Sequence, residues 1–245
     1  MSRNISKIKL NNMSFVIVIG SKPNSIIPKI NSSKVYTANG AAEVARKYKK
    51  YYPNTKIICL VGKKEFEKNY RVRRRIIKSF PNRIYVRMGK INIINIKLKK
   101  VKIENNSVCD QFNFQSKFFH FGIFGLYLSE FFWGKNFFQK IKHFAKVLVK
   151  NNWQGVSTGF YSILLSLDEN PNSKIIISGI GMRGGVQYYK SERSKFFEYS
   201  YRARVDKFML KLLKNKYRNK LYSTDKEFCK LAKIELLDKR KLFKY

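Results

Sequence analysis

Short runs of apolar, mostly β-branched residues alternate along this chain with polar stretches of helical composition. The clearest run, Phe15–Ile19, ends at Gly20 and predicts a strand buried on both faces. Similar runs predict further strands at 35–37, 56–61, Arg83–Arg87, Lys174–Ser178 and 220–223. Strands that alternate with helices favour a parallel sheet with right-handed crossovers. Since 245 residues suit one sizeable core, we expect a single α/β, Rossmann-like domain over residues 1–245 with a mostly parallel sheet.

Helical patterns fill the gaps between the predicted strands. Helices are expected at 41–51, 63–79, around 205–213 and 226–232. Another begins at the turn Gly155-Val156-Ser157-Thr158-Gly159, where Ser157 or Thr158 can act as the N-cap. Free backbone N–H groups and the helix dipole at such a start favour an anion. The sequence therefore predicts an anion-binding turn near 157–159.

The charge balance is strongly basic, with 52 Lys and Arg against 15 Asp and Glu, a net charge of +37. A field of this sign attracts phosphates, whether on nucleic acid, anionic lipid or anionic glycan. An alternative explanation is compositional drift that has loaded a solvated surface with lysine. The charge alone does not choose between these partners.

A segment at 111–144 is crowded with aromatic residues, including Phe118, Phe119 and Trp133. It predicts an insertion with one of three roles: a packing hairpin in the core, a lid on the acceptor side, or a surface that rests on membrane lipid. The uncharged stretch 118–129 is too short to cross a bilayer as a helix.

The expected location is the cytoplasm, with peripheral contact to the inner face of a membrane. The first twelve residues contain no apolar stretch of signal-peptide length. Cys59, Cys109 and Cys229 lie far apart, without the spacing of a metal or redox motif, which favours a reducing compartment.

Three pieces of sequence stand in a fixed order: the strand with Gly20-Ser21-Lys22-Pro23-Asn24-Ser25, then Asn39, then Ser157-Thr158-Gly159 with its helix and Ser178-Gly179-Ile180-Gly181. This order resembles the CMP-sialic acid-dependent sialyltransferases, especially the compact bacterial ones, and also the CMP-Kdo transferases. The matching motifs are spread from about residue 14 to residue 236. Lys22 stands where the family has a second Gly, and Gly181 where an acidic residue is common.

The resemblance implies an inverting glycosyltransferase that moves an acidic sugar from a CMP donor to a glycan or glycolipid. The CMP-sugar would be a co-substrate, with no cofactor and no metal, and the chain has no Asp-x-Asp triplet. The implied donor-binding residues are Gly20, Ser21, Asn39, Ser157, Thr158, Gly159 and Gly179. The leaving phosphate would be held by the loop residues Arg183, Tyr188 and Tyr189.

The family commonly uses a His as the catalytic base, with an Asp downstream. The corresponding segment here, 201–207, has no His, and the resemblance implies that Ala203 occupies the base position, beside Arg202 and before Asp206. An engineered change, a natural change of mechanism or a shifted alignment each explains this. Of the two histidines, we expect His120 to be packed or on the acceptor side, and His143 to be solvated.

Two other classes of protein compete with this interpretation. A basic nucleic-acid-binding or RNA-modifying protein fits the charge and the aromatic residues, but the chain lacks a recognisable RNA-binding signature or a helix-turn-helix pattern. A dinucleotide-dependent oxidoreductase would also begin with a strand and a glycine, but the complete Gly-x-Gly-x-x-Gly fingerprint is missing. We therefore expect no nucleic-acid partner.

Overall fold

A computed structural model describes residues 14–22, 26–91, 101–133, 136–150, 153, 155–182, 201–237 and 242–244. The strands are β1 (Phe15–Ile19), β2 (Ile26–Pro28), β3 (Lys34–Ala38), β4 (Lys56–Gly62), β5 (Arg83–Arg87), β6 (Lys102–Asn106), β7 (Lys174–Ser178), β8 (Leu221–Ser223), β9 (Glu235–Leu236) and β10 (Leu242–Lys244). The α-helices are α1 (Ala42–Tyr51), α2 (Lys63–Lys68), α3 (Tyr70–Lys78), α4 (Val108–Ser116), α5 (Gly122–Glu130), α6 (Phe137–Lys150), α7 (Thr158–Glu169), α8 (Tyr201–Leu212), α9 (Asn215–Arg218) and α10 (Lys226–Ala232). Short 3-10 turns occupy Asn39–Ala41 and Phe131–Trp133.

Eight strands form one parallel sheet in the order β6-β5-β4-β3-β1-β7-β8-β9. The chain builds outward from β1 to β6 on one side, then returns to place β7 on the other side of β1. This reversal between β1 and β7 is a topological switch point, beyond whose carboxyl ends ligands bind in open α/β sheets. The predicted α/β fold with a mostly parallel sheet is confirmed. A small antiparallel pair, β2 with β10, lies outside the main sheet.

Both faces of the sheet are covered, which explains why β1 is apolar along its whole length. Alternate residues of a strand point to opposite faces. Val16 and Val18 pack into the core that contains α7 and α8. Ile17 and Ile19 pack into the core that contains α1 and α3.

The predicted long helix at 63–79 is instead two helices, α2 and α3. The break is at Asn69, which has extended backbone angles and whose side chain accepts a hydrogen bond from Val72 N at 3.2 Å. An Asn in this position satisfies one of the free N–H groups at a helix start. The local cap therefore overrides the continuous helical composition.

The aromatic segment folds into α4, α5 and the first part of α6 on the face of the sheet that carries α7. Part of the segment is core: Phe118 and Phe119 are completely buried. Part of it is surface: Phe137 is 69% exposed and Phe138 is 81% exposed. The prediction of a packing element holds for the inner residues only, and the outer ones form an exposed apolar surface.

Candidate functional site

The loops after β1 and β7 touch each other at the switch point. Gly20 N donates to Ser178 O at 2.7 Å, and Lys22 N donates to Gly179 O at 2.9 Å. A Cβ atom on Gly20 would lie only 2.2 Å from Gly179 O. Close packing of the two loops thus requires a glycine at position 20, whatever ligand binds nearby.

Arg87, the last residue of β5, is completely buried beneath the turn that begins α7. Its guanidinium donates from Nη2 to Val156 O at 3.0 Å, from Nη1 to Thr158 Oγ1 at 3.4 Å, and from Nε to Gln111 Oε1 at 2.8 Å. It also lies 4.4 Å from the centroid of the Tyr161 ring. Burial lowers the pKa of Arg87 to about 10, which leaves it charged at neutral pH.

Two buried carboxylates hold the same turn from the other side. Asp206 Oδ1 on α8 accepts a hydrogen bond from Ser157 N at 2.8 Å. Glu130 Oε1 on α5 accepts one from Gly155 N at 3.1 Å, while its Oε2 lies 2.8 Å from His143 Nε2. Burial raises the pKa of Asp206 to about 6, although its hydrogen bonds with Ser157 and the charge of Arg202 oppose that rise.

A side-chain amide completes the support, since Gln115 Oε1 on α4 accepts from Val156 N at 3.4 Å. The backbone of residues 155–158, which we call the α7 turn, is therefore held by side chains from β5, α4, α5 and α8. Such a network fixes the turn before any ligand arrives.

The start of α7 leaves backbone donors available. Ser157 Oγ accepts from Phe160 N at 3.1 Å and so caps the helix. No described residue accepts a hydrogen bond from the N–H of Thr158 or Gly159, the first two residues of α7. A Cβ atom on Gly159 would lie 3.5 Å from Ile180 Cγ2, so this helix start faces the loop after β7.

Of the predicted donor residues, the structure brings Gly20, Gly179 and the residues 157–159 together at one edge of the sheet. Asn39 lies at the same carboxyl edge, directly after β3, the neighbour of β1. Its φ is 52°, and its buried Oδ1 has no hydrogen-bond partner among the described residues. Ser21 follows Gly20 and is partly exposed. Arg183, Tyr188 and Tyr189 lie outside the described residues.

Lys22 makes an ion pair with Asp225 in the loop after β8. Asp225 also accepts from Glu227 N at 2.9 Å and from Phe228 N at 3.1 Å, and so caps α10. The lysine therefore joins the loops after β1 and β8. The sequence pattern gave no sign of this contact.

The segment of α8 that contains Ala203 lies beside the α7 turn. Ala203 is only 4% exposed, and Asp206 is one helical turn further on, bound to Ser157 N. Side chains three residues apart on a helix are roughly 5–6 Å apart, so a side chain at 203 lies close to Asp206. The guanidinium of Arg202 stands 5.4 Å from the Trp133 ring centroid.

The prediction that His143 is solvated is wrong, because Glu130 Oε2 lies 2.8 Å from its Nε2 and its side chain is only 24% exposed. His120 is exposed, which excludes the packed alternative, while its place on the acceptor side stays a prediction. Its backbone N donates to Leu212 O at the far end of α8, which is about 13 Å along the helix from Ala203.

In the described part of the chain, no group of three His, Cys, Asp or Glu residues is placed to hold a metal ion. No helix within those residues is both long and apolar enough to cross a membrane.

No protein-family model matches the chain, and no curated protein matches its sequence. A search of solved structures found similarity to the sialyltransferase CstII from Campylobacter jejuni, in complex with the substrate analogue CMP-3FNeuAc. The two chains share 16% identity with a TM-score of 0.47, over 94% of this chain and 88% of that chain. A similarity of this size says nothing of activity or ligand.

Proposed function

We propose that this chain is an inverting, metal-independent glycosyltransferase that moves an acidic sugar, sialic acid or Kdo, from its CMP donor to a glycan or glycolipid. The observation that carries the proposal is the α7 turn. It is held by four buried polar side chains at the switch point between β1 and β7, and the N–H groups of Thr158 and Gly159 at its end have no acceptor among the described residues. The order of the sequence motifs indicates the donor class, a CMP-sugar.

The donor's anionic groups would bind at the start of α7. The N–H groups of Thr158 and Gly159 donate to a carboxylate or phosphate oxygen, and the helix dipole adds about 0.3–1 kcal/mol for an anion in this position. Because the surrounding side chains already hold the turn, it needs no rearrangement when the donor binds. Gly159 has no side chain to block that approach.

The transfer breaks the bond between the anomeric carbon and the CMP phosphate oxygen, while the acceptor oxygen attacks from the opposite side. The released phosphate carries the developing negative charge. In the proposal, Arg183, Tyr188 and Tyr189 stabilise that charge by hydrogen bonds, in the place of a metal ion.

The proton of the acceptor hydroxyl needs a base, and Ala203 has none to offer. We place the missing base at this position, because a side chain there would lie close to Asp206 and to the α7 turn. The chain would then bind its donor well and turn it over slowly. The alternative base is His143, since Glu130 forms hydrogen bonds both with this imidazole and with Gly155 N of the turn.

The acceptor side of the proposal concerns α5 and α6, whose outer surface is apolar and basic. The exposed large apolar residues there are Phe121, Ile123, Phe124, Phe137, Phe138, Ile141, Leu148 and Val149. Lys142 and Lys146 are exposed on the same helix as the last five of these residues. Such a surface suits the headgroup region of an anionic membrane, where a glycolipid acceptor would be found.

Thermal unfolding with CMP, CDP, UDP and NAD, each with and without EDTA, tests the donor class. We expect CMP and CDP to raise Tm, UDP and NAD to have no effect, and EDTA to change nothing; ligand at 100 times its Kd adds about 2.7 kcal/mol. Loss of the CMP effect in EDTA, with recovery in manganese, would refute metal independence. A shift with NAD alone would refute the donor class.

Sedimentation with vesicles tests the membrane surface. The protein should bind vesicles that contain an anionic lipid, and less so at high salt. A double variant, Phe137→Ser with Phe138→Ser, should bind weakly, whereas Phe80→Ser, which removes another exposed Phe far from α6, should bind normally. Equal binding by all three proteins would remove this surface from the proposal.

A further inference from the structure

One face of α3 carries a row of cations. Arg71, Arg74, Arg75 and Lys78 stand at the spacing i, i+3, i+4 and i+7, while Val72 and Ile76 on the other face are buried in the core. With Glu43 and Arg46 of α1, these cations line a cavity of about 390 Å³. We call this cavity the arginine groove. It lies on the face of the sheet opposite the α7 turn.

The charges of the arginine groove are not balanced within the described protein. The one carboxylate in its lining, Glu43, makes an ion pair with Arg75. Arg46 donates to the backbone oxygen of Lys78 at 3.3 Å. The guanidinium groups of Arg71 and Arg74 have no hydrogen bond or ion pair with any described residue, so five cations face one carboxylate.

Composition does not account for this cluster. The chain has 38 lysines and only 14 arginines. Compositional drift toward basic residues would therefore place mainly lysine on the surface. Four of the 14 arginines nevertheless line this cavity. Arginine differs from lysine in its planar fork, which binds two oxygens of a phosphate at once.

We propose that the arginine groove binds a small anion with at least two phosphate groups, such as a pyrophosphate or polyphosphate. The row from Arg71 to Lys78 extends about 10 Å along α3, which exceeds the reach of a single phosphate. The cavity volume is in the range of small-molecule sites. Two linked phosphate groups would bind neighbouring guanidinium groups and reduce the electrostatic repulsion between those guanidinium groups. The inference does not rest on the proposed glycosyltransferase activity.

Calorimetric titration of the whole chain at constant ionic strength tests the proposal, with pyrophosphate, tripolyphosphate and orthophosphate as the probes. We expect the first two to bind at least tenfold more tightly than orthophosphate. Arg71→Gln with Arg74→Gln should weaken pyrophosphate binding at least tenfold. The control is Lys47→Gln with Lys50→Gln, which removes the same charge from exposed positions of α1 that do not line the cavity, and it should change binding less than twofold.

Two results would overturn the proposal: no pyrophosphate binding by the parent, or equal weakening in both double variants. Vesicles of phosphatidic acid separate the sources of phosphate. If the parent binds these vesicles, the Arg71→Gln, Arg74→Gln variant does not, and pyrophosphate displaces them, then the phosphate groups that bind the groove belong to a lipid. CMP should stabilise the parent and all variants equally. Failure of the groove proposal would therefore leave the proposed donor site standing, and failure of the donor site would leave the groove proposal standing.

Discussion

The α7 turn and the arginine groove use charge in opposite ways. At the turn, Arg87, Asp206 and Glu130 are buried and each is hydrogen-bonded to the backbone it supports. In the groove, Arg71 and Arg74 are exposed and have no partner among the described residues. The difference separates charges that hold the protein together from charges available to a ligand.

This difference has consequences for mutation. Removing a buried, fully bonded charge leaves its partners without hydrogen bonds and destabilises the fold. Removing an exposed, unpaired charge costs the fold little and changes only what binds. Matched variants in the two regions therefore separate effects on folding from effects on binding.

The largest effect is expected at Ala203, if a base is missing beside the turn. Ala203→His should raise the transfer rate by about 10²–10⁴-fold with little change in donor affinity, because a general base contributes that much. The neighbouring charges of Arg202 and Arg204 should lower the pKa of the new imidazole, while the nearby carboxylate of Asp206 opposes that shift. Transfer from one CMP-sugar to a panel of acceptors measures the rate.

His143→Gln and Arg74→His are the controls for that experiment. The histidine placed in the groove should leave the rate unchanged. If the parent is already fully active, the Ala203→His variant is no faster, and His143→Gln abolishes transfer, then His143 is the base and the proposal for Ala203 is wrong.

Arg87→Met should reduce the free energy of unfolding by about 3–5 kcal/mol. Val156 O and Gln111 Oε1 would lose their hydrogen-bond donor, and the buried carboxylate of Asp206 would lose a nearby cation. Arg74→Met, the same change in the groove, should stay within about 0.5 kcal/mol of the parent. Urea unfolding of both variants measures the difference. Equal, small effects would mean that Arg87 does not support the turn.

Asp206→Ala should cost about 1–3 kcal/mol, since Ser157 N loses its acceptor. The pH dependence gives a finer test with Asp206→Asn, whose side-chain oxygen still accepts. Because the pKa of Asp206 is raised from 3.8 to about 6, the folded state holds its proton more tightly. The stability of the parent relative to Asp206→Asn should therefore fall as pH rises from about 4 to about 6, and then level off. Parallel pH curves would contradict this assignment.

The smallest expected effect comes from the hydroxyls of the turn. Ser157→Ala and Thr158→Ala should each weaken donor binding by about 1 kcal/mol, with the fold intact. Ser107→Ala is a matched control, because Ser107 Oγ caps α4 by accepting from Asp110 N at 3.1 Å and its other hydrogen bond is to the Asp110 side chain, not to the turn. Donor titration should show normal affinity for that control. Unchanged affinity in the first two variants would exclude their hydroxyls from the donor site.

Much of the sheet could be predicted from the sequence, because its central strands are buried on both faces and therefore continuously apolar. The strand β6 was missed, since its sequence, Lys-Ile-Glu-Asn-Asn, is polar as befits the edge of a sheet. The α7 turn was predicted from its own residues, since capping is a local property.

The supports of the turn could not be predicted in the same way. Gln115 and Glu130 carry no local signal, because their partners are distant in sequence and become neighbours only in the folded chain. Arg87 gave a partial signal as a charged residue at the carboxyl end of a predicted strand, the end at which ligands bind in such sheets. Its burial depends on the packing of α7 above it.

The central claim, that a cytidine nucleotide binds at the start of α7, is tested most directly by titrating CMP into Gly159→Ala and Gly62→Ala. Gly159 is the second residue of α7, and Gly62 ends β4 and is the N-cap of α2; an added Cβ meets no atom closer than 3.5 Å at position 159 or 4.0 Å at position 62. Both variants should therefore fold normally. We predict that Gly159→Ala weakens CMP binding about tenfold or more while Gly62→Ala binds like the parent, a difference of about 1.4 kcal/mol. Equal affinity in both variants would contradict the claim and place any nucleotide elsewhere.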